Sequence, residues 1–157
     1  MSELSHVDNK GRAQMVNVAG KPITRRIAKA EGFVECSPAL VDAIAQNQVK
    51  KGNLLDVARI AGITGAKRTS DLIPLCHPLP LDHVEIIAAL EPTGVRITAT
   101  IETEGRTGVE MEAFSAVSIA ALTVIDMGKA IDPAMVIREI RLLMKTGGKS
   151  DYHARTK

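Results

Sequence analysis

Three groups of side chains in this 157-residue sequence could carry chemistry. The first is Pro74-Leu75-Cys76-His77-Pro78-Leu79-Pro80. Its prolines fix the backbone and remove hydrogen-bond donors, so His77 is presented on a stiff turn. Such a ring can bind a ligand or move a proton near neutral pH; the plainer role is to hydrogen-bond the turn to itself. The second group is Asp126 and Lys129, three apart at the end of a long apolar stretch and able to share a helix face. Lys129 complements a helix C-terminus, but an aspartate gains nothing there, so an end ion pair explains the lysine better than the carboxylate. A partly buried Asp–Lys pair can hold shifted pKa values suited to acid–base work. The third group is Glu110 and Glu112, flanking Met111 where that stretch begins. Acids favour a helix N-terminus, and Gly105 and Gly108 leave room there for an anion or the edge of a base. Lys51, Lys67, Lys129, Lys145 and Lys149, if they converge, suit a polyanion such as a nucleoside triphosphate.

Other chemistries find less support. Gly148-Lys149-Ser150 ends like a phosphate-binding loop, but Leu143 occupies the position of the required first glycine. Cys76, His77 and His83 lack the spacing of a zinc site, and no metal is expected. Lys67-Arg68 is an isolated basic pair, which usually marks a solvated face. With Phe33, Phe114 and Tyr152 the only aromatic residues and a net charge of +2, neither a base-stacking platform nor a duplex-binding surface is indicated. The polar start, to Gln14, contains nothing like a signal peptide, and the 13-residue uncharged run 113–125 is too short to span a bilayer. Cys36 and Cys76 make no disulfide framework and fit a reducing, cytoplasmic setting.

The elements that must position these groups follow from periodicity. Residues 15–18 form a short strand-like patch. Residues 24–36 read as a strand, with a bulge near Gly32. Ser37-Pro38 starts a helix that runs to Gln48. A second helix covers 54–61, is interrupted at 62–65 and resumes over 66–72. Residues 84–90 and 95–101 form a hairpin around Pro92-Thr93-Gly94. Residues 109–127 form the longest helix, about 28 Å at 1.5 Å per residue. A strand covers 136–144, and 146–157 is a loose tail. The order is strand, helix, strand, strand, helix, strand. This predicts one α+β domain over 1–157, ferredoxin-like, with an antiparallel sheet and helices on one face. Its core covers about 15–145, between a flexible N-terminal segment and the tail. The apolar helix and an apolar hairpin face also predict an obligate oligomer.

Several long blocks then resemble one family closely. They are Lys51-Gly52, Ala58-Arg59-Ile60-Ala61-Gly62-Ile63, Ala66-Lys67-Arg68-Thr69-Ser70-Asp71-Leu72-Ile73-Pro74-Leu75-Cys76-His77-Pro78-Leu79, Thr107-Gly108-Val109-Glu110-Met111-Glu112-Ala113, and Arg141-Leu142-Leu143 with Lys145, Gly147, Gly148, Lys149 and Ser150. By these the chain is identified as a member of the cyclic pyranopterin monophosphate synthases, the molybdenum cofactor biosynthesis protein C family. The likeness runs from about Leu4 to Ser150. Around the aspartate, Ile125 stands where the family frequently has tyrosine, and Gly128 where it has cysteine.

The resemblance implies a ferredoxin-like domain assembled as a homohexamer, a trimer of dimers, with active sites at dimer interfaces. It implies a lyase that converts 3',8-cyclo-7,8-dihydroguanosine 5'-triphosphate, the product of the preceding radical enzyme, to cyclic pyranopterin monophosphate and pyrophosphate. It implies Asp126, Lys129, Lys51 and His77 as catalytic residues, and Leu75, Cys76, His77, Met111, Glu112, Lys67 and Lys145 as substrate-binding residues. A close Asp–Lys–His group would move the protons. No cofactor is expected, since no redox change is needed. The rivals are a non-catalytic ligand-sensing module and, more weakly, a nucleic-acid-binding module.

Overall fold

The computed structural model describes residues 7, 8 and 10–155. Its central strand, β1 (Thr24–Glu35), buries Ala28, Ala30, Gly32 and Val34 on one face. Alternation with period two puts all four on the same side, which must then be covered. Ser37 caps α1 (Pro38–Ala45) by accepting the Leu40 N–H. This helix stops before the expected end at Gln48, and Asn47 turns the chain at a φ of 52°. Asn53 caps α2 (Leu54–Lys67), and a single turn, α3 (Thr69–Leu72), follows.

After the proline-rich loop come β2 (His83–Glu91) and β3 (Gly94–Gly105), the expected hairpin. Val95, Ile97, Ala99 and Ile101 are fully buried on the helix side of β3. The opposite face, expected to be apolar, carries Arg96 paired with Glu91 and Glu31, and Glu102 paired with Arg25, beside an exposed Ile87. The long helix is α4 (Glu110–Gly128), and β4 (Val136–Thr146) returns beside β1. The tail is not loose throughout: β5 (Tyr152–His153) pairs with Met144 and Lys145 of β4. Residues 15–18, expected as a strand, form none, although Val7 and Ala13 make an isolated bridge.

The sheet order is β2-β3-β1-β4-β5, with every pair antiparallel. Without β5 this is the ferredoxin-like βαββαβ arrangement. The irregularity near Gly32 is present, but β4 carries the extra residue. Glu31 pairs with Arg141 and Phe33 with Arg138, and Glu139 takes a φ of 38° between them. By length and composition α4 could cross a membrane. Here it lies across the sheet and against α2, with Ala113, Ala116, Val117, Ala120, Ala121 and Val124 fully buried.

Gly62 and Gly65 do not interrupt α2, because they are where it meets α4. A Cβ on Gly62 would come within 3.2 Å of the Ala116 carbonyl oxygen, and one on Gly65 within 2.9 Å of the Ser115 carbonyl oxygen and the Ile119 side chain. Gly65→Ala would gain about 1 kcal/mol of helix propensity in an open helix. Here the forced separation of two packed helices should outweigh it, for a net loss of about 1–3 kcal/mol in urea unfolding.

Candidate functional site

The candidate site residues gather at the two ends of α4. At its C-terminal end Asp126 sits between two ammonium groups: Lys129 Nζ donates to Oδ1 at 2.8 Å and Lys51 Nζ to Oδ2 at 2.7 Å. Lys51 also donates to the Asp126 carbonyl oxygen at 3.1 Å, so it caps the last turn. All three residues are exposed. Hydrogen bonds from Lys129 and then Lys51 hold the Asp126 carboxyl down at about 2. It is ionised at neutral pH, and the stabilisation it gives above its ordinary value of 3.8 is lost as the pH falls toward 2.

At the N-terminal end lies a cleft of about 640 Å³ lined by Leu75, Cys76, His77, Met111 and Glu112 with Lys21, Arg26, Arg106, Gly148 and Lys149. The loop carrying His77 is pinned as well as stiff. Thr103 Oγ1 donates to the Pro80 carbonyl, the Asp82 N–H donates to the Glu102 carbonyl, and the Glu104 N–H donates to the Asp82 carboxylate. The His77 ring takes no hydrogen-bond partner among the described residues, so the turn does not depend on it. Glu112 is 4% exposed. Burial, with the charge of Glu110 adding to it, pushes its carboxyl up to about 7 although its own main-chain N–H opposes the rise. Burial and then the nearby Glu112 charge raise the Cys76 thiol, so at neutral pH Cys76 is a polarisable wall rather than a thiolate.

Beside Lys149, the cleft's cations are Lys21, Arg26 and Arg106, which the sequence did not mark. Arg26 donates to the Gly105 and Arg106 carbonyls and Arg106 to the Lys21 carbonyl, so their guanidinium charges are not spent on carboxylates. Lys145 and Lys149 line an adjoining cavity of about 190 Å³, where Glu110 holds Lys145 at 3.1 Å. The loop bringing Lys149 there needs Gly147. Its φ is 84°, a Cβ would strike the Arg25 carbonyl oxygen, Thr24 Oγ1 donates to its carbonyl at 2.7 Å, and Asp151 accepts its N–H. Together with the first turn of α4, which has no side-chain cap, these groups make a pocket whose charge and exposed main-chain N–H groups suit a polyanion.

Within one chain the candidate residues fall into separate sets. His77 does not join Asp126 and the lysines within one chain. Met111 and Asp126 stand 15 residues apart on α4, about 22 Å at 1.5 Å per residue. The lysines likewise fall into two sets, Lys51 with Lys129 and Lys145 with Lys149, while Lys67 ends α2 exposed and lines neither cavity. Among the described residues no three His, Cys, Asp or Glu side chains converge as a metal site would need.

The MoaC family model matches residues 15–148, which include both ends of α4 and every candidate site residue except Lys149. The chain belongs to the MoaC family. It is 53% identical over 156 residues to the cyclic pyranopterin monophosphate synthase of Parvibaculum lavamentivorans, covering 98% of each chain. To that of Streptomyces griseus it is 52% identical over 155 residues, 99% of this chain and 88% of the relative. It is also 54% identical over 153 residues to molybdenum cofactor biosynthesis protein 1 of Drosophila melanogaster, 96% of this chain but 27% of that protein.

Arg26 and Arg106 of this MoaC chain carry no local signature. One lies within a strand and the other after one, and only the fold brings them to one rim. Glu112 has a testable consequence. Its carboxyl binds a proton more tightly folded than unfolded, so stability falls as the pH rises from its ordinary value of 4.5 to about 7, then levels off. Glu112→Gln should therefore stabilise the protein at pH 8, on the order of 3 kcal/mol given about 1.4 kcal/mol per pH unit. Near pH 4 it should change little. Thermal melts at both values read the difference.

Proposed function

We propose that this chain is a cyclic pyranopterin monophosphate synthase of molybdenum cofactor biosynthesis. It is a lyase that takes 3',8-cyclo-7,8-dihydroguanosine 5'-triphosphate to cyclic pyranopterin monophosphate and pyrophosphate. Asp126, Lys129, Lys51 and His77 carry the chemistry, and Leu75, Cys76, Met111, Glu112, Lys67 and Lys145 bind the substrate. The observation that supports this best is the division of the site, with a polyanion cleft at one end of α4 and an Asp–Lys cluster at the other. Neither half suffices alone. Two copies related by a two-fold axis, with their α4 helices antiparallel, bring each cleft to the partner's cluster and make two complete sites. The active form is accordingly an oligomer, a hexamer built from three such dimers. Each chain acts as one domain in the cytoplasm, where Cys36 and Cys76 stay free thiols.

The residues divide the work by charge. Arg26, Arg106, Lys149 and Lys145 take the triphosphate and stabilise the negative charge that grows on the departing pyrophosphate. A sugar-derived hydroxyl replaces it on the α-phosphorus, losing its proton as the new P–O bond closes. Glu112, titrating near 7, and His77 can give and take protons at the purine-derived ring as it opens and recloses. Lys51 and Lys129, held by Asp126, supply ammonium protons from the other side.

Complementation tests the divided site. Asp126→Asn and His77→Ala should each nearly abolish pyrophosphate release from the cyclised triphosphate without altering assembly. Reassembled from an equal mixture, the two should recover about a quarter of wild-type turnover, because half the dimers are mixed and each has one intact site. No recovery in demonstrably mixed oligomers would overturn the shared site. Tight binding of the triphosphate by the wild-type protein without pyrophosphate release would instead favour a ligand sensor.

A further inference from the structure

The geometry points to Asp132 as the residue that positions the Lys51–Asp126–Lys129 cluster. This rests on the cluster being catalytic as proposed above. Asp132 is 7% exposed, although no lysine or arginine pairs with it among the described residues. Its carboxylate is spent on main-chain groups: Oδ2 accepts the Ser37 N–H at 2.7 Å and Oδ1 the Ala134 N–H at 3.1 Å. Its own N–H donates to the Gly128 carbonyl at 3.0 Å, as does that of Ile131 at 2.9 Å. One residue thus closes the turn leaving α4 and ties it to the N-cap of α1.

That tie matters because α1 leads to Lys51. The turn after α1 is held by the Gln48 N–H on the Ala43 carbonyl and the Gly52 N–H on the Val49 carbonyl, and it delivers Lys51 to Asp126. Packing reinforces the same joint. A Cβ on Gly128 would lie 2.7 Å from Leu40 Cδ2, so in this chain the fully buried Leu40 of α1 fills the space a side chain would otherwise claim at the end of α4. Lys129 is the next residue, and its N–H still bonds the Ile125 carbonyl. Asp132 therefore fixes the distance between the segment bearing Lys51 and the helix end bearing Asp126 and Lys129. It touches none of the three.

The test compares Asp132→Ala, Asp132→Asn and Asp126→Asn by kcat and KM for pyrophosphate release, below every variant's melting temperature. Asp132→Ala should lower kcat about ten- to a hundredfold, since small misplacements of reacting groups cost that much. KM should move less than about twofold, because the polyanion cleft at the far end of α4 is untouched. Asp132→Asn keeps one acceptor oxygen and should restore part of the loss; it also provides the reading should the alanine variant not fold. A lower melting temperature with unchanged kcat in both Asp132 variants would reduce Asp132 to a fold residue and overturn the proposal. An active Asp126→Asn would instead show that the cluster itself is not catalytic.

Discussion

The rest of this structure depends on how closely α4 is buried between the sheet and α2. The contact is made of small residues: Ala113, Ala116, Ala120 and Ala121 on the helix, Ala28, Ala30 and Gly32 on β1, and Gly62 and Gly65 on α2. Surfaces this short-limbed gain their stability by close approach, since dispersion falls away over fractions of an ångström. They leave the helix little freedom to slide or roll. A helix fixed this way is a rigid spacer, and its two ends present chemistry at a set separation.

The two ends treat a carboxyl in opposite ways. Glu112 is taken out of water and keeps its proton to about 7, while Asp126 stays in water between two ammonium groups and gives its proton up near 2. Environments that push paired acids apart in this way divide their labour. Glu112 can carry a proton at neutral pH. Asp126 is too weak a base for that in the free chain; its negative charge holds two lysines at a fixed spacing. In the proposed site, the acid–base role falls largely to the ammonium groups that Asp126 organises.

Much of the fold is legible in the sequence because its signals are local. Ser37-Pro38 starts a helix, Pro92-Thr93-Gly94 turns a hairpin, and the alternation from Val95 to Ile101 marks a half-buried strand. The sequence signal fails where a residue answers to a distant neighbour. Gly62 and Gly65 look like helix breakers until α4 lies across them. Lys145 extends β4 and pairs with Tyr152 because an edge strand recruits the tail. The candidate site divides the same way. Asp126–Lys129 follows from helical spacing, and His77 from its prolines. Lys51 meeting Asp126 across 75 positions, and Arg26 meeting Arg106 across 80, are products of topology.

The split between the two ends follows from the same topology. Sequence similarity groups residues by what they do in the finished assembly, so His77 and Asp126 belong together on that measure. Geometry groups them by what one chain can reach, and a buried 19-residue helix forbids their meeting. Bending α4 would open its contacts with β1 and α2 and unpair its main chain, costs a domain of marginal stability does not sustain. A second chain, as proposed, is the cheaper route, because antiparallel copies would supply the missing half without distorting either core. On the proposed reading, an oligomer is a consequence of α4's rigidity: a helix that sets the two halves of the proposed site so far apart would complete it with the ends of another.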